Sequence, residues 1–179
     1  MAALRTLAVA ALFWVAPALA TAASEYQVKA VFLFNFSQFV EWSPQALGAP
    51  NSPFAICILG KDRFGPTLDA TVQGESVQGR PFVVRRYAKP GEIDPSCRIL
   101  FISDSEAAQL QGILSKVSER SRLTVSDIDG AAERGAIIQF TNDHNRLRLR
   151  INVGAARAAG LVISSKLLRP SEIVGAERG

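Results

Sequence analysis

Two short apolar stretches decide the fold of this chain: FAICIL at Phe54–Leu59 and RILFI at Arg98–Ile102. Both are nearly continuous and rich in β-branched residues, which is typical of strands covered on both faces of a sheet. Phe82–Arg85 and Leu123–Ser126 have the same character and predict two further strands. The chain therefore contains the strands of a buried, mostly parallel sheet.

Helices are expected between these strands. The sequence predicts a short helix at residues 63–72 and a longer one at 104–117, which the Asp104-Ser105-Glu106 stretch caps. Its inner face is expected to carry Ala107, Leu110, Ile113 and Leu114. Strands that alternate with helices indicate an α/β fold: a single-domain sandwich with a mostly parallel sheet and helices on both faces.

Residues 25–42 predict one long helix ahead of the sheet. Val28, Phe32, Phe36 and Phe39 follow the three- and four-residue spacing of a buried face. Further apolar residues lie outside that stripe, so the helix is apolar around most of its girth. Such a helix either packs on two sides within the core or contributes to an interface.

After residue 135 the pattern changes to that of an antiparallel hairpin. Ala136–Phe140 predicts a strand, residues 142–145 a turn, and Arg146–Ile151 a strand of strict alternation at a sheet edge. A small helix at residues 154–160 and one apolar element at 162–168 follow, and the end from Ser171 is expected to fray.

Arginine occupies every second position of the last predicted strand, at Arg146, Arg148 and Arg150. Guanidinium groups in this arrangement attract a carboxylate-rich partner, phosphates or lipid headgroups, so these residues are the candidate partner-binding surface. Charged side chains on an edge strand also prevent edge-to-edge aggregation, and the two roles are compatible.

The amino terminus has the pattern of a signal peptide, predicted at residues 1–22. Arg5 precedes an apolar run at 7–16, and Ala18-Leu19-Ala20 offers a cleavage site. The run is too short to span a bilayer. Residues 23–179 are expected to form one exported domain. The net charge is +4 for the whole chain and +3 without Arg5, which is too weak to indicate nucleic-acid binding.

The predicted export affects whether the two cysteines, Cys57 and Cys97, are expected to be oxidised. In an oxidising compartment a single pair most simply forms one disulfide. The alternative is a pair of buried free thiols, because reduced cysteine is a common core residue.

Catalytic and cofactor motifs are not recognised, and no catalytic residue, cofactor or metal site is expected. The single histidine, His144, lies in a predicted turn, and Gly60-Lys61 lacks the remaining residues of a phosphate loop. Ser164-Ser165-Lys166 is better suited to helix capping than to a serine–lysine dyad.

Several segments in order along the chain resemble the YfiR family of exported bacterial regulators. They are Val28–Phe36, Phe39–Trp42, Phe54–Gly60, Gly79–Pro81, Cys97–Ser103, Leu123–Val125, Ile151–Asn152 and Ala159–Leu168.

The resemblance implies a periplasmic protein that is not an enzyme. It implies binding to the periplasmic sensor region of a membrane-bound diguanylate cyclase of the YfiN type, which represses the cyclase and lowers cyclic-di-GMP output. Cyclic-di-GMP output and biofilm formation would then respond to envelope or redox state. Cys57 and Cys97 match the family's disulfide. Some members have a second cysteine pair near the late hairpin, which residues 139–150 lack here.

The sequence is also compatible with other functions. A periplasmic small-molecule binding protein would hold its ligand at the carboxyl ends of the parallel strands, near Gly60 or Ser103. An unrecognised hydrolase is a further alternative, although no nucleophile–base pair is evident. The chain is expected to bind no nucleic acid and to span no membrane, and a homodimer is possible.

Overall fold

The computed structural model describes residues 24–117, 121–144 and 146–175. The predicted signal peptide lies outside these residues. The strands are β1 (Val40–Glu41), β2 (Phe54–Leu59), β3 (Ser76–Val77), β4 (Arg80–Tyr87), β5 (Cys97–Ile102), β6 (Leu123–Ser126), β7 (Ile138–Asp143), β8 (Arg146–Asn152), β9 (Val162–Ile163) and β10 (Glu172–Val174). The α-helices are α1 (Glu25–Phe39), α2 (Pro44–Leu47), α3 (Pro66–Val72), α4 (Leu110–Val117), α5 (Val153–Ala158) and α6 (Ser165–Leu168).

In the described residues, eight strands form the central sheet in the order β10-β8-β7-β6-β5-β2-β4-β3. Strands β4, β2, β5, β6 and β7 are parallel, and β8 returns antiparallel to β7. The expected α/β class, with a mostly parallel sheet and a late hairpin, is confirmed. Counted along the chain, the five parallel strands lie in the order 2-1-3-4-5 of doubly wound sheets, whose switch point falls between β2 and β5.

Both faces of the sheet are covered, as predicted. All six residues of β2 are buried, which explains why its sequence is apolar without alternation. On one face, α1 and α3 enclose a core that includes Phe36, Phe54 and Phe101. On the other face, α4 and the 128–136 segment cover Cys57 and Leu100.

Helix α1 is shorter than predicted. Ser24 caps its amino terminus in a capping box with Gln27, and the helix ends at Phe39 instead of residue 42. The chain becomes extended at Val40, because Val40 pairs with Ile163 in a small antiparallel sheet of β1 and β9. A pairing partner more than 100 residues away decides where this helix ends.

The buried face of α1 also differs from the predicted stripe. Its centre is formed by Ala30, Leu33 and Phe36, all of which are fully buried. The predicted Val28, Phe32 and Phe39 are only half-buried. Because apolar residues surround most of the helix, their spacing does not identify which side meets the sheet.

Residues 171–175, the last that the structure describes, include a strand. The expectation that the chain frays from Ser171 is therefore wrong for these residues, and the hairpin does not form the sheet edge. Residues 172–174 form β10 and pair in parallel with residues 150–152 of β8. A close backbone approach supports this return, since a Cβ on Gly154 would lie 2.7 Å from the carbonyl oxygen of Gly175. Two glycines thus let the chain fold back against its own last long strand.

The remaining differences concern boundaries. The predicted apolar element at 162–168 divides into β9 and α6, because Ser164 caps α6 by accepting the Lys166 N–H. Strand β7 begins later than predicted and continues to Asp143, two residues into the predicted turn. The predicted helix at 104–117 begins as a 3₁₀ turn and becomes α-helical only at Leu110. Ala107 lies in that turn and is exposed, so its predicted place on the inner face is wrong.

Candidate functional site

The two cysteines form a disulfide between neighbouring strands. Cys57 lies within β2 and Cys97 begins β5, with their Cα atoms 6.0 Å apart. Both residues are fully buried beneath α4. The bond therefore joins the two central strands between which the strand order reverses, as the predicted export and the resemblance led us to expect.

Strand β8 has the predicted alternation. Leu147, Leu149 and Ile151 contact the core on the side of α1. Arg146, Arg148 and Arg150 lie directly opposite Asp143, Thr141 and Gln139 of β7. Side chains opposite each other share a face, and Gln139 accepts a hydrogen bond from the Ala132 N–H, so the arginines lie on the side of the 128–136 segment.

The three arginines have different environments. The Arg150 Nε donates to Glu172 at 2.8 Å, and its Nη1 donates to Glu133 at 3.2 Å. The hydrogen bond to the Glu172 carboxylate is the main reason why the pKa of Arg150 is raised. Arg150 therefore braces β10 against β8 instead of being free for a partner.

Arg146 and Arg148 are available to a partner. Arg148 is half-exposed and lies 3.9 Å from Asp143, at the limit of an ion pair. Arg146 is exposed and makes no ion pair within the described part of the chain. Of the three predicted contact residues, these two can bind a partner without breaking a close salt bridge.

A polar groove of about 640 Å³ runs beside this strand. One wall is formed by β7 and β8, and the other by residues 169–172, which lead from α6 into β10. Arg148, Arg150 and the exposed Arg169 contribute positive charge, while Asp143 and Glu172 contribute negative charge. Basic side chains are in slight excess along this groove.

The outer side of α1 is a second candidate surface. Its only charged residues are Glu25, in the first turn, and Lys29, which is buried. Val31 is 49% exposed, and its exposed neighbours Gln27 and Gln38 are uncharged. An uncharged solvent face over about three turns is unusual and is compatible with a protein contact.

A buried ionic cluster escaped the sequence analysis. The Lys29 Nζ lies 2.7 Å from Asp127 Oδ2 and 2.6 Å from Glu25 Oε1. The Tyr26 hydroxyl also donates to Asp127 Oδ2, at 2.7 Å. Burial, together with this carboxylate, raises the pKa of Tyr26. The cluster fixes the start of α1 over the carboxyl end of β6. In the sequence, the one sign of this cluster is Lys29, a single lysine within an otherwise apolar helix.

The protein's own loops occupy the predicted ligand position. At the ends of β2 and β5, the Lys61 N–H donates to Ser105 Oγ at 3.0 Å, and Arg63 pairs with Asp104 at 2.6 Å. A Cβ on Gly60 would lie 2.6 Å from Glu106 Oε1, so these loops touch closely. The switch point, where doubly wound folds commonly bind ligands, is closed by side chains here.

His144 has the expected turn role. It is exposed, has a positive φ of 49° and contacts Asp143 at 2.6 Å. A positive φ at a non-glycine residue is typical of tight turns.

Among the residues that the structure describes, the helices are too short or too polar to span a bilayer.

These features define a disulfide-bonded α/β sandwich with a basic strand beside its last sheet edge. The chain belongs to the YfiR/HmsC-like family, whose model matches residues 26–172. The match includes both cysteines and all of β8.

Comparison with solved structures supports the same fold. The chain is similar to a conserved domain protein from Vibrio cholerae O1 biovar eltor str. N16961, with a TM-score of 0.60 and 12% identity. The similarity covers 84% of this chain and 60% of that one, so this chain corresponds to part of the larger structure. No curated protein matches the sequence significantly.

Proposed function

We propose that this protein is an exported, periplasmic negative regulator. In this proposal it binds the periplasmic sensor region of a membrane diguanylate cyclase of the YfiN type and lowers cyclic-di-GMP output. The observation that carries the proposal is the family match over residues 26–172, since YfiR-like proteins are periplasmic regulators of such signalling.

The geometry supports a binding role. A repressor must bind the inactive state of its target more tightly than the active state, so it needs an accessible contact surface. Arg146 and Arg148 offer an exposed basic surface, and the outer side of α1 around Val31 offers an uncharged one. Arg150 contributes indirectly, by holding β10 in place.

Candidate nucleophiles and bases have structural roles, which favours binding over catalysis. Ser164 caps α6, and His144 lies in the exposed hairpin turn. Both cysteines are in the disulfide. The small-molecule alternative has less support, because the loops that follow β2 and β5 fill the expected ligand position.

The test is deletion of the gene in two backgrounds, one with and one without the candidate cyclase. We expect cyclic-di-GMP to rise in the first background only. Complementation with the full chain should restore repression, whereas a version limited to residues 23–179, which lacks the predicted signal peptide, should not. Unchanged cyclic-di-GMP after deletion, with the cyclase intact, would contradict the proposal.

The contact surface is tested by complementation with the double variant Arg146→Glu/Arg148→Glu. Reversal of both charges should weaken repression if the cyclase presents acidic residues to β8. Arg157→Glu is the matched control, since Arg157 is an exposed arginine on α5. Full repression by the double variant would contradict a contact through Arg146 and Arg148 and would favour the outer side of α1 as the contact surface.

A further inference from the structure

Along about half of its length, β8 has no neighbouring strand on the side that faces away from β7. The Asn152 N–H donates to the Ile137 carbonyl at 2.8 Å, which continues the register that places Ile151 opposite Ile138. In an antiparallel pair the hydrogen-bonded positions alternate. Therefore Arg146, Arg148 and Arg150 direct their backbone groups toward β7, and Leu147, Leu149 and Ile151 direct theirs away from it.

Strand β10 covers only the carboxyl-terminal part of this outward edge. It pairs Ile173 with Ile151, and its ladder extends no further back than Arg150. In this parallel pair the bridge between Glu172 and Arg150 uses the Leu149 carbonyl and the Ile151 N–H. The Leu147 N–H and C=O and the Leu149 N–H are therefore left without a strand partner in the described part of the chain. The polar groove borders this part of β8, and Pro170 and Ser171 form part of its other wall.

Strand β10 also shows which residues suit this edge. Glu172 stands directly opposite Arg150 and forms a salt bridge with it, while the next residue, Ile173, lies on the other face, opposite Ile151. An acidic residue followed by an apolar one thus matches an arginine followed by a branched aliphatic residue. The same pair of residue types, an arginine followed by a branched aliphatic residue, occurs twice more in the part of β8 that β10 does not cover, at Arg146–Leu147 and Arg148–Leu149.

The geometry points to strand addition at Arg146–Leu149 by an extended segment of a partner protein, with acidic residues at alternate positions and apolar residues between them. This inference rests on the proposed function and specifies the contact through which the regulator would bind its target. Main-chain hydrogen bonds to the Leu147 N–H and C=O and to the Leu149 N–H would supply affinity, and pairing with Arg146 and Arg148 would supply specificity.

A second copy of this chain is a poorer occupant. Pairing of two β8 edges would bring Arg146 and Arg148 of one copy near those of the other. Like charges opposite each other destabilise a strand pair. The charge on this edge therefore selects an acidic partner strand and opposes self-association.

The test uses the mature protein and a labelled eight-residue peptide of alternating glutamate and valine, with binding followed by fluorescence anisotropy. Arg146→Glu/Arg148→Glu should weaken binding by about tenfold, because two ion pairs become repulsive. Arg157→Glu should leave binding unchanged. A lysine–valine peptide should not bind, and the same glutamate–valine peptide N-methylated on the edge-facing residues should bind several-fold more weakly.

Backbone pairing is tested separately with Leu147→Pro, which removes an outward N–H that β7 does not use. Binding should fall about fivefold, whereas Leu147→Val should retain it. The N-methylated peptide gives the same information on the unaltered protein if the proline variant fails to fold.

Absence of binding, equal binding of the lysine–valine peptide, or indifference to the charge reversal would overturn the inference. Self-association that Leu147→Pro abolishes would assign the edge to a second copy and would also overturn it. Peptide binding with unchanged cyclic-di-GMP after deletion would contradict the proposed function alone. Failed peptide binding with intact repression would contradict strand addition alone.

Discussion

Strands β2 and β8 show two opposite uses of a strand in one sheet. Strand β2 is buried along its whole length, lies between two parallel neighbours and is joined to β5 by the disulfide. Strand β8 is buried on one face only, and half of its outer edge has no strand partner in the described chain. The centre of the sheet contributes stability, and its last long strand presents charge and backbone to solvent.

The largest expected effect is at the centre. Phe101 of β5 is almost fully buried and contacts the rings of Phe64 and Phe140. Phe101→Ala should lower the free energy of unfolding by about 3–5 kcal/mol, through lost apolar burial and a cavity. Urea unfolding measures this. Val162→Ala is the control and should change stability little, because this side chain is 57% exposed. If both variants lost the same free energy of unfolding, the core would not depend on β5.

The disulfide is expected to have the next largest effect. Cys57→Ser should lower stability by roughly 2–4 kcal/mol, because the unfolded chain loses a cross-link between residues 40 apart. Reduced wild-type protein is the matched comparison and should unfold at a similar urea concentration. Intact-mass analysis after alkylation checks the bond itself: two alkylated thiols in the native protein would contradict it.

A smaller effect is expected where β10 meets β8. Glu172→Gln should lower stability by about 0.5–1 kcal/mol, because Arg150 loses a charged partner at a half-exposed site. Hydrogen exchange should accelerate at the amides of residues 172 and 174, which donate to β8, while β2 keeps its protection. Glu92→Gln, at an exposed residue on a 3₁₀ turn, is the control. Unchanged exchange in β10 would mean that the salt bridge does not hold the strand.

The smallest effect on stability is expected at the free edge. Arg146→Glu/Arg148→Glu should change the free energy of unfolding by about 0.5 kcal/mol or less, since both side chains are exposed or nearly so. Thermal unfolding followed by circular dichroism measures this. A loss comparable with that of Glu172→Gln would show that these arginines support the fold, and the contrast between β2 and β8 would fail.

The sequence predicted the centre of the sheet well, because a strand that is buried on both faces consists of consecutive apolar residues. FAICIL at 54–59 forms β2 with the predicted limits. The alternation of β8 was equally clear, since a strand with one wet face has a period of two.

Features that depend on distant partners were missed or misplaced. Strand β10 has only three residues, and its pairing with β8 depends on glycines and on Glu172. Lys29 and Asp127 are 98 residues apart, so no local pattern joins them. The unequal roles of Arg150 and Arg148 could not be predicted either, because they arise from the position of β10 rather than from β8 itself.

The covalent link between β2 and β5 also determines what a single proteolytic cut can release. Residues 58–96 form a closed loop that contains α3, β3, β4 and the exposed turn around Gly91. A protease that cuts this loop once leaves the segment with α1 and the segment with β8 covalently joined. The nicked protein would run as one species on a non-reducing gel and as two after reduction, and it would keep its basic strand attached to its first helix.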